Sequence, residues 1–172
     1  VSKLKVLSLF SGIAGLCELG IKVAGLESLF EIAHFVEIDS FCQKVLKKHY
    51  PNIPINHDIR EFKAERGEYD IIVGGSPCQD ISCANPNATG FDGKRSGLWY
   101  EMFRIIDACR PRAIIWENVG RARYKTKGGE YSPLGIVIGN LASLGYICEW
   151  HTITASSVGA VHKRERVFLI AY

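Results

Sequence analysis

The sequence predicts a doubly wound α/β fold with a mostly parallel sheet and a C-terminal antiparallel hairpin at one edge, and three observations carry that expectation. Short apolar segments of strand type alternate with stretches of helical spacing along the chain. The strand segments run into turns rich in Gly, Ser, Asp and Asn before the next helix begins. The last two strand segments have no helix between them, so they pair antiparallel.

Taken in order, Lys5 to Leu9 reads as a strand, and Ser11-Gly12-Ile13-Ala14-Gly15 as a glycine turn opening a helix that runs to about Ala24. Phe35 to Ile38 ends a second strand. Ser40 then serves as N-cap for a helix reaching His49, just before Pro51. A short strand near Ile55 follows, then a strand from Asp70 to Gly74 and a polar loop up to Gly97. Leu98, Met102, Ile105 and Ile106 have helical spacing within Ser96 to Cys109, and Pro111 ends that helix. Ala113 to Trp116 is again a strand, and Pro133 to Leu144 a helix stopped by Gly145. Tyr146 to Thr154 and Arg166 to Tyr172 complete the sheet as the hairpin.

The 172 residues, 47% hydrophobic and 23% charged, are expected to form one soluble globular domain spanning residues 1–172 with ample core. No apolar run is long enough to cross a bilayer, and Val1-Ser2-Lys3-Leu4-Lys5 leads into a strand without a signal segment. Six cysteines (17, 42, 78, 83, 109 and 148) are scattered without a C-x-x-C pair, which argues against zinc and against a disulfide framework. Reduced thiols in a cytoplasm are expected. The net charge of +3 is small, yet positive residues cluster at Arg121, Arg123, Lys125 and Lys127 and again at Lys163, Arg164 and Arg166.

Candidate chemistry sits at the strand ends, where open α/β sheets bind ligands. Cys78, in Gly74-Gly75-Ser76-Pro77-Cys78-Gln79, stands where a buried strand opens to solvent and reads as a nucleophile, against the bland alternative of a small buried hydrophobe. Glu117, in Glu117-Asn118-Val119, ends a neighbouring strand and is its carboxyl partner. Gly12 and Gly15 suit close backbone approach by a nucleotide-like ligand, although they match neither the dinucleotide fingerprint nor the P-loop. Glu37, at the end of the second strand, is placed to accept hydrogen bonds from ribose hydroxyls. Asp58, at the end of the third, is placed to receive a purine amino group.

Together these residues resemble, in order from about Lys5 to Tyr172, the catalytic domain of DNA (cytosine-5) methyltransferases, especially the short phage and prophage members. Phe10-Ser11-Gly12-Ile13-Ala14-Gly15 resembles the cofactor loop, Glu37-Ile38-Asp39 the ribose segment, and Asp58-Ile59 the adenine contact. Ser76-Pro77-Cys78-Gln79 resembles the nucleophile loop, Arg95-Ser96-Gly97-Leu98 a further cofactor motif, and Glu117-Asn118-Val119 the base-binding motif. Lys163-Arg164-Glu165-Arg166-Val167-Phe168 resembles the basic motif that closes on the target base.

The resemblance implies a Rossmann-like methyltransferase fold and methyl transfer from S-adenosylmethionine to carbon 5 of a flipped cytosine in double-stranded DNA, in a restriction-modification setting. Cys78, Glu117, Arg164 and Arg166 would be catalytic. Phe10, Gly12, Ile13, Gly15, Glu37, Ile38, Asp58, Ile59, Pro77 and Leu98 would hold the cofactor. Gln79, Ser82, Arg95 and Lys163 would touch DNA, with the loop after Cys78 closing as a lid and Phe91 or Trp99 as candidate caps. No metal is implied, and the setting is a prokaryotic or phage-encoded protein at the nucleoid.

Three departures from the family pattern stand out. Val161-His162 occupies the place of a common Pro-Gln, and His57-Asp58 that of a common Gly-Asp. The residues end at Tyr172, where relatives continue into a target recognition domain and a closing motif. The expectation is therefore a fragment, one half of a split enzyme completed by a second polypeptide, or a minimal natural protein. A noncatalytic scaffold on the same fold, a tRNA cytosine-5 methyltransferase and a nicotinamide-dependent oxidoreductase are the alternatives. The short glycine loop disfavours the last, and the trio Cys78, Glu117 and Arg166 disfavours the first.

Overall fold

A computed structural model of the chain describes residues 2–77, 97–125 and 130–172. Seven strands, β1 (Leu4–Leu9), β2 (Phe30–Val36), β3 (Ile55–Asn56), β4 (Ile71–Gly74), β5 (Ala113–Val119), β6 (Cys148–Thr154) and β7 (Glu165–Ala171), form one sheet in the order β3-β2-β1-β4-β5-β7-β6. Strand β1 runs parallel to β2 and to β4, β2 parallel to β3, and β6 antiparallel to β7. The doubly wound expectation with its terminal hairpin therefore holds. The helices are α1 (Glu18–Val23), α2 (Ser40–His49), α3 (Leu98–Cys109) and α4 (Pro133–Ser143). Among the described residues, no helix is long and apolar enough to cross a membrane.

The chain divides into two compact units, Val1–Gly75 with Arg104–Ile114, and Ser76–Phe103 with Ile115–Tyr172. In the first, Val6, Leu7 and Leu9 of β1, Phe35 and Val36 of β2, Leu46 of α2 and Ile72 and Val73 of β4 are buried. These runs are apolar because parallel strands are covered on both faces. Register does the positioning: Leu9 lies opposite Val36 on one side and Gly74 on the other, and Val36 lies opposite Asn56. Four strands thus end level, so Phe10, Glu37, His57 and Gly75 leave the sheet along one rim.

In the second unit Trp99 and Met102 of α3, Trp116 of β5, Leu134, Val137 and Leu141 of α4 and Val167, Leu169 and Ala171 of β7 form the core. The Trp99 and Trp116 rings meet edge to face at 6.2 Å, and Trp99 Nε1 donates to Asn140 Oδ1 at 2.9 Å. A buried indole needs such a partner for its N–H. Trp99 is a core residue.

Several boundaries differ from those read in the sequence, each for a local reason. Helix α1 begins at Glu18 because Phe10, Gly12 and Ala14 have positive φ, which no right-handed helix accommodates. It buries none of its six residues. Asp39, not Ser40, caps α2: its carboxylate accepts from the Cys42 amide at 2.8 Å. Strand β2 stops at Val36, and β3 at Asn56, so Glu37 and Asp58 stand in the turns beyond them. Strand β5 continues through Val119, which places Glu117 inside the strand. Its alternation leaves Ile114, Trp116 and Asn118 buried, with Glu117 half-buried on the other face. Short 3-10 turns, Gly120–Arg123 and Ala155–Val158, follow β5 and β6. Cys17, Cys42, Cys109 and Cys148 are free thiols.

Candidate active site

The rim of the first unit is organised around Glu37, a carboxylate only 8% exposed. Its Oε2 accepts from the Gly12 amide at 2.7 Å and its Oε1 from the Asp39 amide at 2.8 Å. A buried carboxylate is tolerated where hydrogen bonds replace water. Glu37 thereby ties the glycine turn to the end of β2. Ser11 adds to the tie: its hydroxyl donates to Ser8 O at 2.9 Å, and its amide donates to Val36 O at 3.2 Å.

Gly12 needs to be glycine for its φ of +55°, whereas a Cβ there would meet open space. Gly15 has no positive φ, and among the described residues no neighbour crowds it, which leaves room beside its backbone. Phe10 is half-buried at φ 53°, while Ile13 and Ile38 are exposed at 59% and 55%.

Beyond β3, the Asp58 carboxylate is engaged by Arg60, whose Nε lies 3.0 Å from both of its oxygens. That guanidinium and the Arg60 amide hold the Asp58 pKa down at about 2. Ile59 is buried, and its carbonyl accepts from Arg104 Nη2 at 2.9 Å, as does that of Phe62 at 3.0 Å. Gln43 Nε2 donates to Glu37 O at 2.6 Å and lies 2.9 Å from His57 Nδ1. Sequence reasoning missed Gln43 and Arg104 because nothing in their spacing distinguishes them from surface residues. Their work is to fasten rim segments from below.

In the second unit, β5 grips the segment leading to Cys78. Trp116 Nε1 donates to Ser76 Oγ at 3.0 Å, and Asn118 Nδ2 donates to Ser76 O at 3.1 Å, all in buried surroundings. Pro77 follows, half-buried. Cys78, Gln79, Ser82, Phe91 and Arg95 lie outside the described residues. Leu98 is half-buried at the start of α3. The anchoring role of Trp116 and Asn118 was also missed. Their alternation along one strand was the available signal.

Glu117 pairs with Arg166 of β7, Arg166 Nε to Glu117 Oε1 at 2.7 Å, with both side chains about a quarter exposed or less. Burial pushes the Glu117 pKa up, and the Arg166 and Arg164 charges offset that only in part. Such a carboxyl keeps its proton to higher pH than an ordinary glutamate. Arg164 and Lys163 are exposed. Arg123, counted among the basic residues, is turned inward onto Glu165 at 2.6 Å, while Arg121 and Lys125 are exposed and Lys127 lies outside the described residues. Among the described residues, no group of three or more His, Cys, Asp or Glu is arranged to hold a metal ion.

The model of the C-5 cytosine-specific DNA methylase family matches residues 4–172. The type II methyltransferase M2.BsuMI of Bacillus subtilis (strain 168) is 39% identical over 98% of this chain and 42% of its own length. The orphan methyltransferase M.Rho11sI of Bacillus phage rho11s is 31% identical over 99% of this chain and 33% of its own. The chain thus spans less than half the length of these curated relatives. An E. coli protein described as a DNA modification methyltransferase encoded within a prophage superposes with a TM-score of 0.74 at 27% identity, over 98% of this chain and 46% of its own. S. pombe Dnmt2 methyltransferase shares the fold, with a TM-score of 0.75 at 16% identity over 99% of this chain and 49% of its own. The architecture is Rossmann-like, as in those methyltransferases.

Proposed function

The chain belongs to the C-5 cytosine-specific DNA methylase family, and from that premise we propose that residues 1–172 are the catalytic part of a DNA cytosine-5 methyltransferase that uses S-adenosylmethionine. The observation that carries the reading is the half-buried Glu117–Arg166 pair at 2.7 Å, in which burial holds the carboxyl pKa above the ordinary glutamate range. A protonated carboxyl can donate to N3 of a cytosine as negative charge develops there.

The first unit's rim fits the cofactor by its donor set. Glu37 is a fixed acceptor for ribose hydroxyls, Gly12 and Gly15 leave room beside the backbone, Ile13 and Ile38 offer apolar surface, and Asp58 with Ile59 borders the adenine end. Phe10 completes that rim, and Pro77 and Leu98 are proposed cofactor contacts from their motifs alone. When bound, S-adenosylmethionine supplies the methyl group. The Cys78 thiolate adds to carbon 6 of the flipped base, which turns carbon 5 into a nucleophile. Glu117 holds and protonates the N3 edge, Arg166 holds O2, and Arg164 orients the loop. After methyl transfer the carbon 5 proton passes to water, the bond from Cys78 Sγ to carbon 6 breaks, the N3 proton returns to Glu117, and the thiolate is regenerated.

Gln79, Ser82, Arg95 and Lys163 contact the DNA. Base sequence is read by residues outside these 172, in the same or a second polypeptide, because phosphate contacts set register without reading bases. The setting is the cytoplasm, at the nucleoid. Thermal-shift measurements with S-adenosylmethionine, S-adenosylhomocysteine and NAD test the cofactor assignment. Stabilisation by the first two and not by NAD is expected, and stabilisation by NAD alone would overturn it. Footprinting on mixed duplexes is expected to give weak, salt-sensitive binding without site preference. A clear preference for one short site would place the reading element within this chain.

A further inference from the structure

Two arginines in the second unit are arranged reciprocally. Arg166, on β7, gives Nε to the Glu117 carboxylate of β5 at 2.7 Å and Nη1 to the carbonyl of its own neighbour Glu165 at 2.9 Å. Arg123, in the turn after β5, gives Nη2 to the Glu165 carboxylate of β7 at 2.6 Å and Nε to the carbonyl of its own Gly120 at 3.1 Å. Each segment lends an arginine to the other's glutamate and steadies it on a backbone carbonyl of its own. The ring closes through the backbone, since Gly120 stands three residues after Glu117.

Gly120 is part of the device. A Cβ at this position would collide with Glu165 Oε1 and sit 2.8 Å from its Cδ and Cγ. Glu165 lies flat on the turn only because residue 120 has no side chain. Arg123 is steadied further by the Tyr124 ring, 5.2 Å from its guanidinium carbon. The Glu165 side chain is 40% exposed, and an ion pair so open to water contributes little to stability. Its consequence is geometric: it fixes the first residue of β7, whose carbonyl aims Arg166.

We propose that Arg123 and Glu165, with Gly120 as their seat, are positioning residues that hold Arg166 against Glu117, an inference resting on the base-binding role proposed for that pair. Without the clasp the start of β7 is free to shift, and Arg166 loses one of the two acceptors that orient it. The Glu117 carboxyl then feels less of the guanidinium's charge.

The test follows the Glu117 carboxyl by carbon NMR in the full chain labelled with 13C-glutamate, its resonance identified by its loss in Glu117→Gln. Arg166→Met sets the full upward shift of the Glu117 titration midpoint. Arg123→Met is expected to move the midpoint part of the way in the same direction, and Arg123→Lys, which can still reach Glu165, by less. Gly120→Ala breaks the clasp from the other side, by displacing Glu165, and is expected to act like Arg123→Met. A wild-type midpoint in both Arg123→Met and Gly120→Ala would overturn the proposal. This readout needs neither cofactor nor DNA. A chain that titrates as expected yet forms no adduct with 5-fluorocytosine DNA supports the clasp and counts against the methyl-transfer reading.

Discussion

Replacing Glu37 by alanine tests whether one carboxylate both builds the cofactor rim and binds at it. The side chain receives the Gly12 and Asp39 amides at 2.7 and 2.8 Å from a position only 8% exposed. Hydrogen bonds to a charged acceptor contribute about 1.5–3 kcal/mol each, so two set an upper bound of about 6 kcal/mol. Two effects reduce this. Gly12 is half-buried and Asp39 exposed, so water can rehydrate their amides once the carboxylate is gone. Removing a buried charge also relieves its own desolvation. A net loss of about 2 kcal/mol remains, or roughly 4–8 °C in Tm for a chain of this size. Glu37→Gln keeps one acceptor oxygen but turns its amide donor toward a backbone N–H, so a loss near 1 kcal/mol is expected. Calorimetric scans of the three proteins, with S-adenosylhomocysteine titrated into each, give both readouts. Tm values within a degree or so of one another would show that the amides do not depend on Glu37. Undiminished ligand binding in Glu37→Ala would refute its role toward the ribose.

Ser76→Ala removes the acceptor of the buried Trp116 indole N–H at 3.0 Å while leaving the backbone carbonyl that Asn118 uses. An unpaired buried donor costs about 1–3 kcal/mol, measurable by urea denaturation, and no change in midpoint would mean that water replaces the hydroxyl. Titration gives opposite signs at two carboxyls. Glu117, raised above its ordinary 4.5 by burial, stabilises the fold most below that value and loses the contribution as pH rises through its folded pKa. Wild type should therefore lose stability relative to Glu117→Gln as pH is raised from 4.5. A flat or rising difference would contradict the burial argument. Asp58, lowered from 3.8 to about 2 by Arg60, contributes above 3.8, and the contribution disappears on acidification toward 2. Its Asn variant should accordingly converge with wild type in acid, and a gap that persists there would refute the pairing with Arg60.

The succession of strands and helices and the terminal hairpin were legible because apolar runs and turn residues are local signals, read over a few positions at a time. The start of α1 was not, because the positive φ at Phe10 and Ala14 belongs to residues that rarely adopt it and carries no compositional mark. Asp39 and Ser40 are both good capping residues, and only the bond to the Cys42 amide decides between them. Glu37 and Glu117 could be singled out by residue type beside strand segments, and Arg166 through its motif. Their supports could not. Gln43, Arg104, Arg123 and Glu165 act through partners up to 45 residues away, and a long-range pairing of that kind leaves no periodicity in the chain. Gly120 carries no local mark either, since its reason, the Glu165 carboxylate lying against it, exists only in three dimensions.

Covalent trapping of Cys78 tests the central claim most directly. Fluorine at carbon 5 of cytosine blocks the final elimination, so the chain incubated with S-adenosylmethionine and excess duplex DNA containing 5-fluorocytosine should accumulate a DNA-linked species. Digestion and mass spectrometry should place the link on Cys78, and Cys78→Ser should abolish it without lowering Tm. An adduct that maps to Cys83, that persists in Cys78→Ser, or that never forms under saturating DNA and cofactor would contradict the account.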